Sequence, residues 1–293
     1  SSVAKADIAV LLALGAAFFI AIGDVIHQRS ALEVTDEPVG HLQLFTRLLR
    51  DGRWWLGTAV AAAGFGLQAA ALALGSVLLV QALLVTSLLF ALPISARLAH
   101  RRVTRWQGLW AVLLAGSVVV IVTVGNPTAG QTRASVETWL AVCAVLGPLL
   151  ALFLVGARMW SGSTSAVLLG AVSGTLWGVF AVLTKSVVHR LDVTSWSGAL
   201  ELMRTPELYA WAVLAVAGTA FQQASFRAGP MTASLPTMTV AEPMVAAVLG
   251  VVVLGESLRP AESGWFVLIT AVAVMVVATA ALARGEAAIR PPP

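Results

Sequence analysis

Charge is scarce in this sequence: Asp, Glu, Lys and Arg make up 11% of it, against roughly 25% in an average soluble domain. A chain so poor in charge cannot keep its whole surface in water. Cysteine is scarcer still. The single Cys143 rules out a disulfide within the chain and any CxxC metal or redox pair. The four histidines, His27, His41, His100 and His189, fall near the ends of apolar runs and are not spaced as a ligand set. A Walker loop, an HExxH helix and a nucleophile elbow are all missing, so neither an enzyme nor a bound cofactor is expected. Also missing is any polar stretch long enough for a separate soluble domain.

What is there is apolar. Hydrophobic residues make up 59% of the chain, and its mean hydropathy is +0.90. In 293 residues there is room for about nine spans of roughly 20 residues joined by short loops. The expected class is an all-α membrane protein. The net charge of +4 is no sign of nucleic-acid binding, because the arginines sit at span ends, where they set orientation.

Ile8 to Val25 reads as the first span, since no small-residue cleavage site follows it. It closes in a polar cluster where Asp24 and His27, three residues apart, share a helix face and are candidates to bind a cation or relay a proton. Residues 33–53 form a polar connector with the amphipathic piece HLQLFTRLLR, expected to lie along the interface. Trp54 and Trp55 mark headgroup level. The second span follows, with Ala61, Gly64, Gln68, Ala71 and Gly75 on one small-residue face suited to close helix packing. Ser76 to Ala96 is the third span and carries Gln81; Trp106 to Val124 and Val136 to Ala157 are the fourth and fifth. The sixth, Ser165 to Val188, carries Trp177 and also Lys185, read as a side chain snorkelling from a span end.

The most telling position is Glu242. It stands beside Pro243 inside an apolar run long enough to cross a bilayer, where a charge is costly and usually faces a bundle interior or a wet cavity. Pro243 withholds a backbone donor, so carbonyl oxygens near it stay open to a partner. Thr239 lies one turn earlier on the same face and is placed to share a ligand with Glu242.

The chain also resembles itself. Val10-Leu11-Leu12 and Val167-Leu168-Leu169 open matching spans at an offset of 157, and Ala61, Gly64, Gln68 and Gly75 match Ala215, Gly218, Gln222 and Gly229 at an offset of 154. This divides the chain into a first repeat (residues 1–130), a linking fifth span (131–162) and a second repeat (163–293). Five crossings separate the starts of the repeats, which makes them inverted, as in secondary transporters. Twelve of the 18 lysines and arginines fall on the side of the C-terminus. The positive-inside rule then puts the C-terminus in the cytoplasm and the N-terminus outside a bacterial plasma membrane.

The run AEPMVAAVLGVVVLGE from Ala241 to Glu256, followed by Gly264 at the start of the last span, resembles the end of an EamA-type repeat of the drug/metabolite transporter superfamily. Trp177-Gly178 with Lys185 resembles the start of such a repeat. WWLG at Trp54, GFGLQAAALALGSVLLVQ from Gly64 to Gln81 and HQRSAL from His27 are similar to the NIPA-like magnesium-transporter branch. The resemblance implies inverted repeats around a central cavity and gradient-driven alternating access. Arg101-Arg102 stand near the place where the first half would have its own Gly-Glu pair. The expected site is Glu242, Gln68, Gln222, Thr239, Gln81, Asp24, His27 and Trp177, taking a small molecule or ion. A divalent cation held by Glu242 and Asp24, a lipid-linked substrate, and a non-transporting scaffold that binds a second copy or another membrane protein are the alternatives.

Overall fold

The computed structural model describes residues 2–34, 46–47, 49–98, 100–191 and 194–289, so most of the 33–53 connector lies outside them. The described elements are helices: α1 (Ser2–Val34), α2 (Gly52–Leu74), α3 (Val77–Leu84), α4 (Ser87–Leu98), α5 (Arg105–Val124), α6 (Val136–Met159), α7 (Ser163–Arg190), α8 (Trp196–Arg204), α9 (Pro206–Ala228), α10 (Met231–Val252) and α11 (Gly264–Ile289). An isolated antiparallel bridge, Thr128 to Ser257, ties two loops. Local chemistry starts the helices where the sequence allows it. Thr104 and Gln107 cap α5 reciprocally at 3.1 and 3.2 Å, and Ser135 accepts from Thr138 N–H at 3.2 Å before α6.

Among the described residues, eight helical stretches are long and apolar enough to cross a membrane, with α3 and α4 together making one of them. The chain is a multi-pass membrane protein. Helix α9 is long enough, at 23 residues, but polar groups such as Gln222, Gln223 and Arg227 keep it out of that eight. The third span is interrupted after Leu84, where Thr86 folds its hydroxyl back onto the Leu83 carbonyl at 2.5 Å.

Packing is set by small residues. Helix α1 lies against α2 and against α3–α4, while α7 lies against α9 and α10, and α11 joins α5 to α10. Gly170, Gly174 and Gly178 place one face of α7 directly on the α10 backbone: a Cβ at Gly174 would fall 2.7 Å from Ala241 Cβ, and one at Gly178 2.9 Å from the Glu242 carbonyl oxygen. This is a small-xxx-small seam, which lets two backbones approach without a side chain between them. Two other approaches match across the halves. A Cβ at Gly75 would sit 2.9 Å from Ala9 Cβ, and one at Gly229 3.0 Å from Ala166 Cβ; Gly64 and Gly218 meet Ile20 and Trp177 at 3.0 and 2.9 Å.

Helix α7 fixes the depth of everything else. Gly229 packs at Ala166, near its start, and Gly75 is bonded to Lys185, near its end. The two positions on α7 are about 28 Å apart at 1.5 Å per residue, so the breaks at Gly75 and Gly229 lie at opposite ends of the bundle. Glu242, level with Gly174 and Gly178, lies between them. Helix α6 stands aside, with Val136 66% and Val145 69% exposed, an apolar surface that suits lipid.

Candidate functional site

Two polar places stand out, one at mid-depth and one at the Gly75 end. At mid-depth, α10 contains two prolines, Pro236 and Pro243. Each removes the N–H that would bond four residues back, so the Thr232 and Thr239 carbonyls lack those helical partners. Thr239 Oγ1 donates to the Leu235 carbonyl at 2.6 Å, which leaves its lone pairs as the free capacity of the hydroxyl. Glu242 follows by one turn. Its carboxylate is surrounded by protein on the scale of the whole bundle, yet the residue is half-exposed. The residue thus lies deep in the bundle and keeps some accessible surface. Among the described residues it accepts no hydrogen bond, and the charge that acts on it is Asp24, from α1. Helices α1 and α10 share no extensive packed interface among the described residues, which leaves room for a gap between them.

The remaining expected residues do not gather around that gap. Gln68 is buried on α2 and Gln222 half-buried on α9. Each precedes its glycine break by seven residues, so they stand about 10 Å in from opposite ends of the bundle. Gln81 is 3% exposed on α3, and its amide nitrogen has no hydrogen-bond partner among the described residues. Trp177 lays its indole on Gly218 and meets Phe180 edge-on at 5.1 Å; Phe180 stacks on Trp211 at 5.2 Å, and Trp211 Nε1 donates to Thr184 Oγ1 at 2.9 Å. That aromatic seam holds α7 to α9. The side chain of His27 lies outside the described part of the chain.

At the Gly75 end the structure corrects the reading of Lys185. It does not snorkel. Its side chain is 2% exposed, and Nζ donates to the Gly75 carbonyl at 2.9 Å and pairs with Glu256 Oε1 at 3.4 Å. Glu256 is as deeply buried. Its Oε1 accepts from Val77 N–H at 2.7 Å and its Oε2 from Leu78 N–H at 3.1 Å, so the carboxylate caps the start of α3. A carboxylate there complements the positive end of the helix dipole. Gly255, at φ +67, turns the chain back so that Glu256 N–H bonds the Gly250 carbonyl at 3.0 Å. Above it runs the 125–135 loop: Gln131 N–H donates to the Leu254 carbonyl at 2.7 Å, Thr128 and Ser257 share a hydroxyl contact at 2.6 Å, and Arg133 holds Glu207 at 2.6 and 3.1 Å.

An uncharacterized protein of Corynebacterium glutamicum is 36% identical to this chain over 277 residues, 94% of this chain and 95% of that protein. The chain belongs to its family. No family model matches the sequence, and no solved structure matches the fold. The signal that singled out Glu242, a charge inside an apolar run, is ambiguous at Lys185, which lies five residues from the end of α7.

Proposed function

We propose that this protein is a secondary transporter of the drug/metabolite transporter superfamily, with two inverted halves that move a small solute through a space between α1 and α10. The observation that carries this is Glu242, deep in the bundle yet open and without a hydrogen-bond partner among the described residues. A scaffold would have no use for an uncompensated carboxylate at mid-depth, where its cost must be offset by a ligand, a proton or water. Support for inverted halves comes from matched contacts. The offsets of 157 and 154 carry Ala9 onto Ala166 and Gly75 onto Gly229, and Ile20 onto Trp177 and Gly64 onto Gly218, each pair meeting as closely in one half as in the other. The arginine distribution favours a cytoplasmic C-terminus in a bacterial plasma membrane.

Glu242 takes the role of substrate ligand or coupling-proton carrier, with Thr239 beside it. A second reading, a divalent-cation transporter, is favoured by Asp24 acting on Glu242 from the opposite helix, since hard cations take oxygen ligands and keep several waters. Flux in proteoliposomes under an imposed proton gradient, over a panel of small metabolites, organic cations and magnesium, tests both. The expected result is gradient-dependent flux of one solute class that is lost in a folded Glu242→Gln variant. Flux unchanged by Glu242→Gln would remove Glu242 from the mechanism, and magnesium flux independent of Asp24 would remove the second reading.

A further inference from the structure

The buried pair at the Gly75 end is not needed to explain Glu242, and it has a geometry of its own. Lys185 and Glu256 both come from the second half, on α7 and just after α10, and everything they hold besides each other belongs to the first half or to their own chain ends: the Gly75 carbonyl and the Val77 and Leu78 N–H groups. Resting on the transporter reading above, we propose that the Lys185–Glu256 pair is the gate of this end of the cavity: a latch of the second half on the broken second-to-third span of the first, which must part for the space at Glu242 to open there.

Four observations support a latch over a plain structural tie. A buried ion pair adds little net stability compared with apolar side chains of the same volume, so stability alone does not account for two charges at 2% exposure or less. The groups it holds are the free ends of α2 and α3, the last carbonyl and first amides, which water satisfies when the end opens; no helix has to unwind. The overlying loop is tied by contacts of the same exchangeable kind, Thr128 with Ser257 and half-exposed Arg133 with Glu207. Lastly, among the described residues the opposite end shows no buried ion pair that caps a helix start. The offset of 154 puts Arg102 in the place of Glu256, and α10 starts at Pro230 with no side-chain cap. Among the described residues the latch is one-sided, as expected of a protein resting closed on one face.

Site-specific labelling tests the gate without a known substrate. In a Cys143→Ser background carrying Thr239→Cys, a membrane-impermeant maleimide is applied from the Gly75 side, and mass spectrometry follows the peptide containing position 239. Glu256→Gln and Lys185→Met are each expected to raise the labelling rate about tenfold, because an open state held to a few per cent or less gains population when the latch weakens. A disulfide between Thr128→Cys and Ser257→Cys removes neither charge and is expected to lower labelling below the background rate until it is reduced. Rates unmoved by the charge variants and by the disulfide would overturn the gate. Should the charge variants fail to fold, the disulfide decides: protection reversed by reductant supports the gate, and no protection sinks it. The labelling result is independent of flux, so loss of the transporter reading in the Glu242→Gln assay is recognised separately.

Discussion

The two places where the chain breaks between spans make an instructive pair. Gly75-Ser76 and Gly229-Pro230 stand at matching positions, each glycine pressed against an alanine of the neighbouring helix. The first break is held on every side: Ser76 caps α3 through Leu79 N–H at 3.0 Å, Glu256 takes the two earlier amides, and Lys185 takes the Gly75 carbonyl. The second break has glycine against the Gly162 carbonyl, a proline, and no side-chain cap on α10. Equal backbones thus carry unequal chemistry. Among the described residues, the first break is held by a buried ion pair and a carboxylate cap, whereas near the second the polar contacts are serine hydroxyls on backbone carbonyls, Ser225 on Ala166 and Ser234 on Ser225.

The largest effect is expected where the inequality is greatest. Lys185→Met leaves Glu256 buried without its cation and should destabilise the protein by about 3–5 kcal/mol, the range for a buried pair broken on one side. The double variant Lys185→Met, Glu256→Gln should recover part of that loss, since the stranded charge is gone. Arg102→Ala, at the matching position of the other end, should change stability by no more than about 0.5 kcal/mol, as exposed surface sites do. Chemical unfolding in detergent reads all three. Equal losses at Lys185 and Arg102 would break the comparison.

A middle-sized effect separates the seam at Glu242 from the flanks. Gly174→Ala puts a methyl 2.7 Å from Ala241 Cβ, and overpacking of that kind typically costs about 1–3 kcal/mol. Gly116→Ala, on α5 with open space around it, should instead gain up to about 1 kcal/mol from helix propensity. Gly64→Ala and Gly218→Ala form a matched pair between the halves, and the inverted-repeat reading expects both to cost about 1–3 kcal/mol. A large disagreement between them would count against equivalent packing.

How much of this was readable in the sequence follows from which signals are local. Apolar runs, span ends and the Thr104 cap are written in neighbouring residues, so the all-α membrane class and most span positions could be read directly. Glu242 was visible because a charge in an apolar run needs no partner to be noticed. The glycine matches were visible as an offset, although not what each glycine touches. Lys185 was misjudged because its partners are remote, Glu256 at 71 residues and Gly75 at 110; a lysine five residues from a helix end looks the same whether it reaches water or turns inward. The interruption after Leu84 has no proline or glycine to announce it. The nearness of Asp24 to Glu242 depends on how α1 and α10 are arranged in space, which no local pattern encodes.

The smallest expected effect asks whether the second break is left uncapped by need or by default. Ser76→Ala removes the hydroxyl that accepts from Leu79 N–H, a cap worth about 0.5–2 kcal/mol, although Glu256 continues to hold Val77 and Leu78. The loss should fall at the lower end of that range. Pro230 already has the extended backbone of a capping residue, φ −66 and ψ 142, so Pro230→Ser can offer its hydroxyl to the first turn of α10 without moving the chain. Were that end merely structural, the serine should stabilise the protein by several tenths of a kcal/mol and leave everything else unchanged. Under the transporter reading the Gly229 end must move in each cycle, and tightening it should slow flux even as stability rises. Stability and flux rising together would show that this end is not a moving part.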